Sequence, residues 1–148
     1  MRKRTHGREL ALQFLYQIDI TGDNYDSALD SFLKAQSAEE IDETIKGFAV
    51  ELVKGARDNS ELIDSKISQY AANWQLGRMA VVDRNILRLS CFELLFRDDI
   101  PPKVSINEAV ELAKKYSGPE AGKFVNAILD KINLEKNNRG GVIPSNDP

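Results

Sequence analysis

Residues 77–97, GRMAVVDRNILRLSCFELLFR, form the longest apolar segment of the chain. Apolar side chains fall on more than one side of the helix that this segment can form, with no strict alternation that would suit a strand. A helix apolar nearly all round has to be surrounded by neighbours. The segment therefore predicts a central helix and an all-α fold built around it. Cys91 lies within this apolar run and is the only cysteine. It has no internal disulfide partner and reads as a small buried packing group, which suits a reducing compartment.

Helical patterns extend outward in both directions. Upstream, Ala11, Phe14, Leu15 and Ile18 make one stripe that Gly22 closes, followed by Tyr25, Ala28, Leu29 and Phe32. Ile41, Ile45, Phe48, Leu52 and Ala56 step by three or four residues. Ile63, Ile67, Tyr70 and Trp74 do so again after the break Asp58-Asn59-Ser60. Downstream, the consecutive prolines of DDIPPK predict a loop. Ser105 and Glu108 then have the spacing of a capping box, Lys114 and Lys115 suit a helix C-terminus, and Gly118-Pro119 stops that helix. Phe124, Val125, Ile128 and Ile132 make a last apolar face. The reading is one all-α domain over residues 1–135, a compact bundle of about seven helices. Residues 136–148 are a polar, Gly- and Asn-rich tail expected to be disordered.

The charge is distributed unevenly. The chain carries a net charge of −3, yet residues 1–8 hold Arg2, Lys3, Arg4 and Arg8, and all 23 acidic residues lie beyond them. A length of 148 residues with 42% hydrophobic and 29% charged residues is that of an ordinary globule. No apolar h-region follows the opening charges, and no apolar run approaches the roughly 18 residues of a membrane span, so the expected location is cytoplasmic and away from any membrane.

Catalytic constellations are missing from the pattern. His6 is the one histidine and has no second ligand nearby for a metal site or a nucleophile pair. GPEAGKF has three residues between its glycines where a phosphate-binding loop needs four, and Phe124 where that loop needs Ser or Thr. Asp98-Asp99 reads as a solvated helix end. No cofactor, metal or enzymatic activity is expected.

What remains is the basic start. A short Lys/Arg cluster can be a frayed, solvated terminus, but it can also neutralise phosphates and release counterions. Arg8, Leu12 and Tyr16 fall within about 80° of one another on the first helix, which sets a guanidinium near an aromatic ring. Unpaired RNA bases stack on such groups. Charge alone points to nucleic acid, and Tyr16 points to single-stranded RNA.

VVDRNILRLSCFELLF, IPPKVSINEAVELAKKYSG and GKFVNAILDKI, taken with the basic arm and RELALQFLYQ, resemble the NusB family of bacterial transcription antitermination factors. The resemblance covers residues 2–135. It implies an all-helical domain that binds the boxA sequence of nascent ribosomal RNA. The partner would be NusE, a small-subunit ribosomal protein, within a complex of other Nus factors and RNA polymerase that prevents premature termination. It implies RNA contacts from Arg2, Lys3, Arg4, Arg8 and Tyr16, from Asp83, whose carboxylate could accept from base amino groups, and from Lys123 and Phe124. Thr5, His6 and Gly7 interrupt the arm where the family has more arginine. Two alternatives stay open: a helical interaction or dimerisation module without an RNA role, since the family includes monomers and homodimers, and a relative of the NusB-like domains fused to ribosomal RNA cytosine methyltransferases. Against the latter, the chain has no room for a methyltransferase and no Gly-rich nucleotide loop.

Overall fold

The computed structural model describes residues 2–37, 41–71 and 76–138. Among these there are seven α-helices and no strand: α1 (Lys3–Thr21), α2 (Tyr25–Ser37), α3 (Glu43–Asp58), α4 (Ser60–Tyr70), α5 (Val81–Phe96), α6 (Pro102–Tyr116) and α7 (Pro119–Asn138), with a single 3-10 turn at Leu76–Arg78. The all-α bundle expected from periodicity is the fold observed. Trp74 and residues 139–148, most of the expected tail, lie outside the described residues, while α7 extends three residues past the expected end of the domain at 135.

Helix α5 is the hub. It packs against α1, α3, α4, α6 and α7, and its buried residues run almost continuously from Asn85 to Leu95. Leu87 and Leu94 are at most 1% exposed. The free Cys91 thiol is buried there as well, and burial pushes its pKa up to about 12. The ring of Phe92 lies directly over Gly55 of α3, where a Cβ would collide with it. Glycine at 55 is thus what lets α3 sit close to the hub.

The helix ends follow local chemistry. Gly22, at a φ of 69°, donates its N–H to Ile18 and closes α1. Asp42 caps α3 by accepting from the Thr44 N–H at 2.6 Å. Gly118, at a φ of 123°, separates α6 from α7. One expected end is different. Helix α6 starts at Pro102, a residue preorganised for the first helical turn, so the helix begins before Ser105 and takes in part of the expected loop. Ser105 and Glu108 therefore do not form a capping box. Their side chains turn inward to α5 and α1.

A second polar cluster joins α1, α4 and α5. Asp19 accepts two bonds from Arg84, at 2.7 and 2.8 Å, one from Arg88 at 3.1 Å and one from Asn85 at 2.9 Å. Arg88 also reaches Asp64 of α4. The hydrogen bonds from Arg84 hold the Asp19 carboxyl down at about 2.

Leu87→Ala or Leu94→Ala is expected to cost about 2–5 kcal/mol in denaturant unfolding, because each truncation leaves a cavity in the hub. Asp19 also gives a pH signature. Its folded pKa is depressed, so its contribution is present above the ordinary carboxylate range near 4 and lost as pH falls towards about 2. Asp19→Asn is expected to flatten the pH dependence of melting between about pH 4 and 2.

Candidate nucleic-acid interface

The basic start is not a separate arm, because α1 already begins at Lys3, with Arg2 at its N-cap position. Arg2, Lys3 and Arg4 are exposed. Their position is electrostatically unfavourable, since the first turn of a helix carries partial positive charge and this one contains no acid. Neighbouring carboxylates offset the conflict only in part. Lys3 pairs with Asp42 at 3.0 Å, and Arg4 reaches Asp99 at 3.5 Å while lying over the Phe48 ring at 4.7 Å. Asp99 is held down at about 2, chiefly by Arg97 and in smaller part by Arg4.

Arg8 is a different kind of residue from the other three. It is 4% exposed. Its Nε and Nη2 donate to the two oxygens of Glu93 on α5, both at 2.8 Å, and its Nη1 donates to Glu108 of α6 at 3.3 Å. Ser105 Oγ donates to the same Glu93 at 2.8 Å, and Thr5 Oγ1 donates to Glu108 at 2.5 Å. Arg8, expected as an RNA contact, thus spends its guanidinium inside the bundle. The interruption of the basic run has a cause as well. Gly7 lies against α3, where an added Cβ would come within 2.8 Å of the Phe48 ring. Thr5 is needed at Glu108. More arginine at these positions would break the packing.

Tyr16 lies on α1 about 18 Å from Arg4 along the helix axis, at 1.5 Å per residue. It is 41% exposed and lines a hollow of about 370 Å³ with Leu12, Gln13, Gln17, Val82 and Tyr116. Asp83 lines a second hollow, of about 320 Å³, with Met79, Ala80, Ser117, Glu120, Ala121 and Phe124. The two hollows adjoin, because the consecutive pairs Val82-Asp83 and Tyr116-Ser117 each give one residue to each. The Oδ1 of Asp83 is buried yet has no hydrogen-bond partner among the described residues. Such an acceptor is costly unless something donates to it. Lys123, next to Phe124 on α7, is highly exposed and 3.5 Å from Glu120.

The structure thus brings Tyr16, Asp83 and Phe124 into one stretch of surface with Lys123 at its edge, places Arg2, Lys3 and Arg4 at the other end of α1, and removes Arg8 to the interior. Tyr116 and Glu9 were missed by sequence reasoning. Tyr116 follows Lys114 and Lys115, and its only signal is position: it is the last residue of α6, just before the stop at Gly118.

Fold and face together define an all-helical domain with exposed cations at one end of α1 and exposed tyrosines at the other. Residues 5–134 match the model of the NusB family, and the chain belongs to that family. It is 48% identical over 130 residues to the transcription antitermination protein NusB of Anaeromyxobacter dehalogenans, covering 88% of this chain and 89% of that one. It superposes on a crystal form of NusB from T. maritima with a TM-score of 0.80 at 40% identity, covering 89% and 91% of the two chains. A structure of the antitermination factors NusB and NusE in complex with double-stranded RNA has a TM-score of 0.80 at 33% identity, covering 91% and 98%.

Arg8→Ala is expected to destabilise by about 3–5 kcal/mol, because it strands the Glu93 carboxylate in the interior. Replacing Arg2, Lys3 and Arg4 together by alanine is expected to leave the melting temperature within a few degrees of wild type, since their ion pairs are exposed. Thermal melts of the two variants check this contrast.

Proposed function

We propose that this chain is a non-catalytic transcription antitermination factor that binds RNA together with NusE. In this reading it works in the cytoplasm, with other Nus factors and RNA polymerase, to prevent premature termination, and boxA of nascent ribosomal RNA is its target. The relatives named for antitermination and the likeness to a NusB–NusE–RNA complex support the reading. No described helix is long and apolar enough to cross a membrane, and the described residues hold no metal-ligand cluster.

The observation that carries the reading is that three kinds of nucleotide contact lie along α1, cations at its start and a ring and a carboxylate about 18 Å further on. Exposed cations at the start of α1 meet phosphates, the Tyr16 ring meets a base face, and the half-buried Asp83 carboxylate, which lines the adjoining hollow, meets a base amino group such as cytosine N4. Phosphate contacts supply affinity without sequence information, so preference must come from the ring and the carboxylate.

The test is titration of a boxA-containing single strand and of a duplex of the same sequence at several salt concentrations. Three phosphate contacts give a slope of log K against log salt of about −2 for a single strand. The slope is expected to flatten when Arg2, Lys3 and Arg4 are replaced by alanine, and an unchanged slope would remove the basic turn from the site. Tyr16→Ala is expected to weaken the single strand by about 1–3 kcal/mol and the duplex little, because duplex bases are already stacked. Equal losses on both would mean that Tyr16 does not read unpaired bases.

A further inference from the structure

We propose that Tyr116 is a second base-stacking residue, which shares one hollow with Tyr16 and takes a single unpaired nucleobase, and that Glu9 is the positioning residue that fixes its ring. The inference rests on the RNA-binding reading above and adds to it two residues with no assigned role.

Glu9 is the informative residue. It is only 6% exposed, a burial that a carboxylate sustains only when it is well paired. Both of its donors come from the end of α6: Tyr116 Oη at 2.9 Å and Lys115 Nζ at 2.5 Å, on the same Oε2. A terminal helical residue would otherwise fray. Glu9 therefore ties the last turn of α6 to the middle of α1 and sets the Tyr116 ring on the wall of the hollow, while the ring stays 41% exposed. Leu12, Val82, Gln13 and Gln17 complete the lining, which is almost wholly apolar.

The chemistry favours a nucleotide over an apolar side chain of a protein. The hollow of about 370 Å³ adjoins the one lined by the half-buried Asp83, whose carboxylate accepts the kind of donor that a base edge carries. Lys115 is half-exposed beside the Tyr116 ring, its Nζ 5.3 Å from the centroid, where a phosphate can reach it. A leucine or phenylalanine would fill the space but offers no donor to the Asp83 carboxylate and no anion to the exposed side of Lys115. A base within a duplex presents no free face to the rings, so the occupant is unpaired.

The test uses the full chain and a boxA-containing single strand carrying 2-aminopurine at each position in turn, whose fluorescence is quenched when the base stacks. One position is expected to be quenched on binding. Tyr116→Ala is expected to abolish that quench and to weaken binding about tenfold, whereas Tyr116→Phe keeps the quench and binds within about threefold of wild type, since the ring carries the stacking. Glu9→Leu removes the acceptor, and is expected to reduce the quench at that same position while the salt slope holds. If Tyr116→Ala binds and quenches as wild type while Tyr16→Ala does not, this inference falls and the RNA-binding reading stands. A Tyr116→Ala loss that is equal on single strand and duplex, and matched by a lower melting temperature, also overturns it. Wild-type chain that binds neither RNA overturns both.

Discussion

The bidentate pair between Arg8 and Glu93 is the constraint on which the rest of the surface depends. Both side chains are withdrawn from water, at 5% and 2% exposure. Burying two charges is unfavourable unless geometry and further hydrogen bonds compensate. Here they do. Ser105 donates to Glu93 and Glu108 accepts from Arg8, so three helices converge on one satisfied cluster. Its main effect is orientation. Apolar packing would accept α1 in several rotations about its axis, but a forked guanidinium fits a carboxylate in one arrangement.

That single orientation fixes which side chains α1 presents to α6 and to solvent. With Arg8 turned inward, Thr5 meets Glu108 and Glu9 meets Lys115 and Tyr116, so a seam of polar contacts joins α1 to α6. Tyr16, two turns beyond Arg8, then emerges over the hollow lined by Leu12, Val82 and Tyr116. At the near end the cations are held in a first turn that disfavours them, next to exposed partners, Asp42 and Asp99. Exposed ion pairs of this kind contribute little and are easily exchanged. Lys3 and Arg4 can therefore exchange partners at small cost, whereas Arg8 cannot.

The helices were legible because apolar periodicity reports which face is buried, and the hub at residues 81–96 stood out because its apolar residues fall on more than one side. Gly22 and Gly118-Pro119 were legible as ends because only glycine takes those backbone angles freely. The polar network was not legible. A buried arginine and a solvated one read alike in sequence, so Arg8 looked like part of a basic cluster. Ser105 and Glu108 have capping-box spacing, yet that spacing also places two side chains on one helix face, and here the face points at Glu93 and Arg8. For the proposed site, Tyr16, Asp83 and Phe124 were named from sequence and resemblance and lie on one stretch of surface, while Tyr116 needed coordinates, because its partner Glu9 is 107 positions away in sequence.

The most direct measurement of the central claim is native-state hydrogen exchange at the amides of residues 8–11. If the Arg8 cluster locks the start of α1 into the bundle, these amides exchange only through global unfolding, with the same free energy as the interior amides of α5. If the basic start is a frayed arm that orders only on RNA, they exchange with little protection in the free chain, and the account given for Arg8 would be contradicted.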